Sequence, residues 1–181
     1  MSRNVSGQAY ALSVLTPILD GHADELRAHL EGLEEGAASP LARVPGTHIA
    51  RWVVIDDVIY QGAGQRKRDT LTPRLLFSSN FDGEVGAYLE GLRTGMAGDA
   101  DAIWSHCRGY PGHADGPAFA AWMHAHVLEA ALFFAAYGGM TVDQVNSNLE
   151  RRRRLLDLVL DGQGLPPAEL KARFMEAFPL R

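Results

Sequence analysis

The chain has 181 residues, of which 46% are hydrophobic and 22% charged, a composition typical of one ordinary globular domain. The formal net charge of -5 argues against a nucleic-acid-binding protein. A single cysteine, Cys107, excludes an internal disulfide and favours a reducing, cytoplasmic location. The polar N-terminus does not resemble a signal peptide. His124, His126 and Glu129 interrupt the longest apolar-rich run, 118–140, so we expect no membrane span.

An Asp-Gly pair followed by Leu-Glu-Gly-Leu occurs twice, in residues 18–33 and 80–92. In each copy an apolar segment precedes Asp-Gly and an amphipathic helix follows it. The first copy predicts a strand over 10–19, a helix capped by Asp20 and, after a loop rich in Gly, Ala, Ser and Pro, a second strand over 47–56. The nearly continuous apolar residues of this second strand predict burial on both of its faces.

The second copy predicts a strand over 74–81 and a helix capped by Asp82. A further helical stretch follows, and Pro117 begins a helix that ends near His126. Residues 129–137 fit either a helix or a strand. Because the second unit still needs its closing strand, we predict a strand there.

A C-terminal helical extension covers about 141–181. Thr141 and Gln144 form a capping box at the start of a long helix, whose apolar stripe is expected to be buried. Pro166 and Pro167 begin the last helix.

Two β-α-β units in one sheet predict a single ferredoxin-like α+β domain over 1–181, with a four-stranded antiparallel sheet and the C-terminal helical extension. The helices of the two units would cover one face of the sheet. The other face needs a cover as well, since it would otherwise expose a large apolar patch. Either the C-terminal helices or a second subunit could supply it. Small proteins of this shape often pair sheet to sheet as a dimeric α+β barrel, and we therefore expect a homodimer.

The segment 79–83, Ser-Asn-Phe-Asp-Gly, resembles the Gly-x-x-Asp-Gly motif of dye-decolourising peroxidases, with Ser in place of the first Gly. These peroxidases and the chlorite dismutases are haem enzymes built from ferredoxin-like units. The resemblance implies the ferredoxin-like fold. It also implies a haem-dependent oxidoreductase in which Asp82 would serve peroxide cleavage. This chain holds one pair of units, whereas those peroxidases use two.

Polar residues interrupt the apolar pattern of the two central strands. We predict that His48, Arg51 and Asn80 line a pocket on the sheet, with His48 as acid/base and Arg51 or Asn80 polarising an oxygen. Ser78, Asn80 and Asp82 alternate along their strand and are candidate partners. The alternative is that Arg51 pairs with a neighbouring carboxylate in a purely structural bridge.

The region 106–126 contains four of the seven histidines, which are the candidates for binding a cofactor, haem included: His106, His113, His124 and His126. Alternatively, they are loop and helix residues that bond to backbone groups. No closed set of Cys and His ligands is visible, so no metal site is predicted. Cys107, beside His106, would be an activated thiol only if the two adjacent side chains pointed together.

The sequence therefore predicts an enzyme of the dimeric α+β barrel kind that acts on an apolar or aromatic small molecule, with haem-dependent oxidation as one variant. The alternative is a non-catalytic module that binds a ligand or another protein. The sequence does not say which reaction, if any, the chain performs.

Overall fold

The computed structural model of the chain describes residues 9–56, 72–136 and 139–179. The chain divides into two compact units, Met1–Gly139 and Met140–Arg181, and the second covers the predicted C-terminal helical extension. Of the helices in the described ranges, none combines the length and apolar character needed to span a bilayer.

The first unit contains β1 (Tyr10–Pro17), α1 (Ala23–Glu31), β2 (Thr47–Ile55), β3 (Arg74–Phe81), α2 (Val85–Gly95), α3 (Ala97–Trp104) and α4 (Gly116–Ala125). The strands form one sheet in the order β1-β3-β2, and β3 is antiparallel to both neighbours. β1 and β2 are therefore parallel, with α1 connecting them and β3 inserted between them. All three strands lie within about two residues of their predicted bounds.

The prediction of a four-stranded sheet is wrong, because the sheet of the described residues has three strands. Residues 129–136, the described part of the predicted closing strand, are irregular. Leu132 and Phe134 are 71% and 81% exposed there, so this segment leaves two of its large apolar side chains in contact with solvent. Among the described residues, single bridges join Val127 to Val14 at the outer edge of β1 and Cys107 to Ile18 just after it.

The outer edge of β1 is occupied by two short backbone segments instead of a strand. Leu15 N–H donates to the His126 carbonyl at 2.9 Å, and Leu19 N–H donates to the His106 carbonyl at 2.8 Å. Pro17 lies between these points and accepts from Arg108 N–H at 2.8 Å, but it has no N–H of its own to donate. A proline on this edge cannot donate a backbone hydrogen bond to a neighbouring strand. This is a physical reason why two short segments, and not one continuous strand, bond to the edge.

The core of the first unit lies between one face of the sheet and the helices. Alternate residues of β1 and β3 are buried there, together with side chains from α1 to α4. Trp104 lies at the centre of this cluster and is 0% exposed. Its ring lies 5.7 Å from that of Phe77 and 5.9 Å from that of Phe119, both in edge-to-face geometry.

The expectation that β2 is buried on both faces is also wrong. Trp52 and Val54 pack against the core, whereas Ile49 and Val53 on the other face are 69% and 40% exposed. An apolar run cannot distinguish a strand covered on both sides from one whose second face is uncovered, because the difference depends on distant parts of the chain.

Asp20 and Asp82 do not cap helices as predicted. The N-cap residues of α1 and α2 lie two positions further along the chain, and neither gives a side-chain cap hydrogen bond. The glycines after the two aspartates, Gly21 and Gly83, have φ of +81° and +88°. The repeated Asp-Gly therefore marks a turn that needs a left-handed residue after each strand.

The second unit consists of α5 (Val142–Asp161) and α6 (Pro167–Ala177). The predicted capping box is confirmed: Gln144 N–H donates to Thr141 Oγ1 at 3.2 Å, and Thr141 N–H donates to Gln144 Oε1 at 3.0 Å. The predicted buried stripe of α5 is not buried, since Leu149 and Val159 are 56% and 54% exposed. A unit of two helices has too little surface to bury the apolar face of both helices completely.

Candidate functional site

The face of the sheet opposite the core carries an apolar surface crossed by polar residues. This open sheet face is defined by the outward residues of the three strands: Ala11, Ser13, Leu15, Ile49, Arg51, Val53, Leu76, Ser78 and Asn80. The strand register places them in rows, with Ser13, Ser78 and Arg51 in one row and Ala11, Asn80 and Ile49 in the next. Successive rows on one face are about 7 Å apart.

His48 enters this region through an irregularity in β2. Thr47 pairs with Phe81 and Ile49 pairs with Asn80, so His48 is an extra residue opposite the β3 ladder. A strict alternation of residues along β2 would put His48 on the same face as Ala50 and Trp52, and the extra residue breaks that alternation. Thr47, whose Oγ1 lies 3.3 Å from the buried Tyr88 Oη, and Ile49, on the open sheet face, therefore lie on opposite faces although they are two residues apart.

The extra residue places His48 against Asp82, at the end of β3. The His48 Nε2 and Asp82 Oδ1 atoms are 2.7 Å apart, with 27% and 18% of the two side chains exposed. Gly46, with φ of +77°, accepts from Asp82 N–H at 3.0 Å and holds the two segments together. Two of the predicted site residues therefore form a pair, here called the His48–Asp82 dyad.

Arg51 lies on the open sheet face and its Nε donates to Ser78 Oγ at 3.1 Å. Within the described ranges, its guanidinium lies within ion-pair distance of no carboxylate. The predicted structural bridge is therefore not formed there. Asn80 occupies the adjacent row of the same face.

The dyad has the arrangement of a general acid/base pair. A carboxylate only accepts hydrogen bonds, so Nε2 of His48 carries the hydrogen and Nδ1 keeps the lone pair while the ring is neutral. The carboxylate of Asp82 orients the ring and leaves Nδ1 as the atom that can take a proton. Arg51 adds a cation that can hold or polarise an oxygen atom.

The four histidines predicted to bind a cofactor have different surroundings. His106 Nδ1 lies 3.1 Å from His22 Nδ1, His113 Nδ1 lies 2.6 Å from Asp101 Oδ2, and His126 Nδ1 lies 2.8 Å from the Trp122 carbonyl. His124 is exposed in the last turn of α4. His106, His113 and His126 therefore contact three different groups: a second histidine, a carboxylate and a backbone carbonyl. Haem binding stays a prediction.

His113 belongs to a hydrogen-bonded group around Asp101. Tyr110 Oη and His113 N–H both donate to Asp101 Oδ1 at 2.9 Å. Desolvation by itself raises the pKa of Asp101, but the hydrogen bonds from His113 and Tyr110 outweigh it and lower that pKa below its usual value. Burial, followed by the adjacent carboxylate, raises the pKa of Tyr110. This group ties α3 to the loop before α4.

Cys107 is buried and is not an activated thiol. Desolvation raises its pKa to about 11, and the hydrogen bond that Thr16 Oγ1 donates to its Sγ at 3.2 Å only partly offsets that effect. A thiol with so high a pKa is almost entirely protonated at neutral pH and is a poor nucleophile.

Sequence reasoning missed one polar cluster, formed by His22, Glu25 and His106. Its potential ligand atoms all lie within 4.8 Å of one another. The spacing of His22 and Glu25, three residues apart at the start of α1, was available as a signal. The contact of His106 with His22 gave no such signal, because the two residues lie 84 positions apart in the chain.

Comparisons of the chain with protein-family models, with curated proteins and with solved structures find no match.

Proposed function

We propose that the chain is a small-molecule enzyme that binds an apolar or aromatic substrate on the open sheet face, beside the His48–Asp82 dyad. The observation that carries this proposal is Arg51, which lies between the exposed residues Ile49 and Val53 along the same face of β2. Among the described residues, its side chain bonds to the Ser78 hydroxyl on β3. A cation in such surroundings is suited to bind a negatively charged oxygen on an otherwise apolar molecule.

In this proposal the residues have separate tasks. Arg51 holds a carboxylate or another oxyanion of the substrate, and Asn80 in the adjacent row contacts a second polar group. His48 exchanges a proton with the bound molecule through Nδ1 while Asp82 keeps the ring oriented. Apolar side chains of the open sheet face contact the rest of the substrate.

A homodimer in the cytoplasm is part of the proposal. A second copy pairing sheet to sheet, as in dimeric α+β barrels, would cover Ile49 and Val53 and would exclude water from the dyad. The single buried cysteine is compatible with a reducing compartment.

The test of substrate binding uses phenylacetate, a small aromatic carboxylate, and its neutral amide. We expect the full chain to bind phenylacetate at least about tenfold more tightly than phenylacetamide by isothermal titration calorimetry. Arg51→Gln should abolish this preference, whereas Arg173→Gln, a matched change in the second unit, should preserve it. Equal preference in both variants, or no binding of phenylacetate at all, would contradict the proposed site.

The dimer is tested separately by light scattering after size-exclusion chromatography. Ile49→Glu and Val53→Glu together would place two buried charges from each chain in a sheet-to-sheet interface, so the double variant should be a monomer. An absorbance spectrum of the purified protein tests the haem expectation of the sequence, since bound haem gives a Soret band.

A second candidate function is a non-catalytic protein-interaction module. The observation that favours it is the exposure of apolar side chains along α5 and α6, among them Leu149, Val159 and Phe174 at 56%, 54% and 44%. Such an amphipathic helix pair is suited to pack against helices of another chain. A dimer that is lost in Leu149→Glu and Val159→Glu but kept in the sheet-face variant would favour this second function.

A further inference from the structure

The first turn of α1 and the turn after α3 bring two histidines and a carboxylate together. His22 is the N-cap of α1, Glu25 lies in its first turn, and His106 follows α3. The Nδ1 atoms of His22 and His106 are 3.1 Å apart, and Glu25 Oε2 lies 4.0 Å from His106 Nδ1. These three side chains are here called the His22–Glu25–His106 cluster.

Backbone contacts hold the two histidines in place. Leu19 N–H donates to the His106 carbonyl at 2.8 Å, which fixes the turn after α3 against the end of β1. The His22 carbonyl accepts from Leu26 N–H at 3.0 Å, and Leu26 is fully buried. The cluster therefore rests on the core of the first unit rather than on a long loop.

The spacing of the cluster suits a tetrahedral metal ion. Zinc binds nitrogen at about 2.0–2.1 Å, which puts two ligand atoms of a tetrahedron about 3.3–3.4 Å apart. The two Nδ1 atoms, at 3.1 Å, are already near that separation. Glu25 Oε2, at 4.0 Å from His106 Nδ1, would have to come about 0.6 Å closer to that atom, and its side chain is 72% exposed.

His106 is the sheltered member of the cluster's ion pair, with 13% of its side chain exposed against 72% of that of Glu25. Binding through Nδ1 requires the tautomer whose hydrogen is on Nε2.

His29 provides a second observation beside the cluster. It lies seven residues after His22 and four after Glu25, so all three share one side of α1. Its Nε2 atom is buried and has no hydrogen-bond partner among the residues that the structure describes. An unpaired buried nitrogen is costly, so a polar partner on this side of α1 would lower that cost.

We propose that His22, His106 and Glu25 bind one divalent transition-metal ion of the zinc class, through the two Nδ1 atoms and the carboxylate. The fourth position is left to water, as in sites that have three protein ligands. The positive end of the α1 helix dipole opposes the cation, and the Glu25 carboxylate offsets it. The site is separate from the His48–Asp82 dyad and does not depend on the proposed enzymatic function.

The experiment is a Zn²⁺ titration of the full chain, without a histidine tag, against a competing chromophoric chelator. One ion should bind per chain. His22→Gln and His106→Gln should each weaken binding at least about tenfold, and Glu25→Gln should weaken it several-fold. Asp24→Asn, which removes a neighbouring carboxylate in the same helical turn, should leave the affinity unchanged. The absorption bands of Co²⁺ in place of Zn²⁺ should have the intensity of tetrahedral coordination and should disappear in His106→Gln.

Circular dichroism and tryptophan fluorescence check that each variant is folded, and the exposed Glu25 keeps the test informative if a histidine variant unfolds. An affinity that falls equally in Asp24→Asn and Glu25→Gln would overturn the site. Binding that survives His106→Gln but is lost in His48→Gln would overturn it too, since the ion would then bind at the dyad. Failure to bind one ion per chain would also overturn it.

Discussion

A buried hydroxyl group on α2 allows a sharp test of the core. Tyr88 is 3% exposed, and its Oη atom lies 2.6 Å from Ser79 Oγ and 3.3 Å from Thr47 Oγ1. Its ring stacks on Phe81 at 3.7 Å with an interplanar angle of 3°. Desolvation raises the pKa of Tyr88, although Ser79 and Thr47 oppose that shift. The hydroxyl group joins α2 to two strands of the sheet.

Tyr88→Phe removes only this hydroxyl and keeps the stacked ring. Ser79, 1% exposed, then loses its partner at Oγ, whereas Thr47 Oγ1 can still donate to the Val44 carbonyl at 2.9 Å. One buried polar atom left unsatisfied costs about 1–3 kcal/mol, so we expect a loss of about 2 kcal/mol in the free energy of unfolding. Ser79→Ala should cost about 1 kcal/mol, because Tyr88 retains Thr47 as a partner.

The double variant removes both partners and should be less destabilised than the sum of the single variants, by about 1 kcal/mol. Urea unfolding followed by tryptophan fluorescence measures all four proteins. The three tryptophans, Trp52, Trp104 and Trp122, all lie in the first unit, so the signal reports on that unit alone. If the losses in the free energy of unfolding of the two single variants simply add in the double variant, the reasoning is wrong. It is also wrong if Tyr88→Phe leaves that free energy unchanged. A changed m value would mean that the unfolding reaction itself had changed.

Two further predictions concern titrating groups in the first unit. Because the pKa of Cys107 is raised to about 11, its thiol should react slowly with a disulfide reagent at pH 8. A timed absorbance assay should show a rate at least about a hundredfold lower in the native chain than in urea. Equal rates would contradict the burial of this thiol. The folded state lowers the pKa of Asp101, so its carboxylate stabilises the fold at neutral pH and loses this effect as the pH falls through that lowered pKa. Asp101→Asn should therefore reduce stability at pH 7, by less than about 1 kcal/mol because its side chain is 44% exposed and solvent screens the charge. The loss should shrink towards pH 3, and a loss that is constant with pH would contradict the role of its charge.

Local patterns predicted the elements that depend on local chemistry. The capping box of Thr141 and Gln144, and the bounds of β3 at Arg74–Phe81, follow from side chains close in sequence and are confirmed. The closing strand over 129–137 was inferred from repeat symmetry. That inference failed because the edge of β1 is occupied by segments that follow α3 and α4, which no local pattern reveals.

The candidate site was predictable in its composition and less so in its geometry. Residue types indicated that His48, Arg51, Asn80 and Asp82 could act together, and the register places Arg51 and Asn80 on one face. The extra residue in β2 could not be read from an alternating pattern, and it decides that His48 meets Asp82. The His22–Glu25–His106 cluster needed a contact between parts of the chain more than 80 residues apart.

Because His48 is an extra residue in β2, deleting it should not change which later residues of the strand face the core. In a regular strand, deleting one residue moves every later side chain to the opposite face. Here Thr47 and Ile49 already have consecutive partners on β3, so a chain lacking His48 could close the ladder with Trp52 still facing the core. A histidine could thus be gained or lost at this place by a single-codon insertion or deletion, with the scaffold left intact.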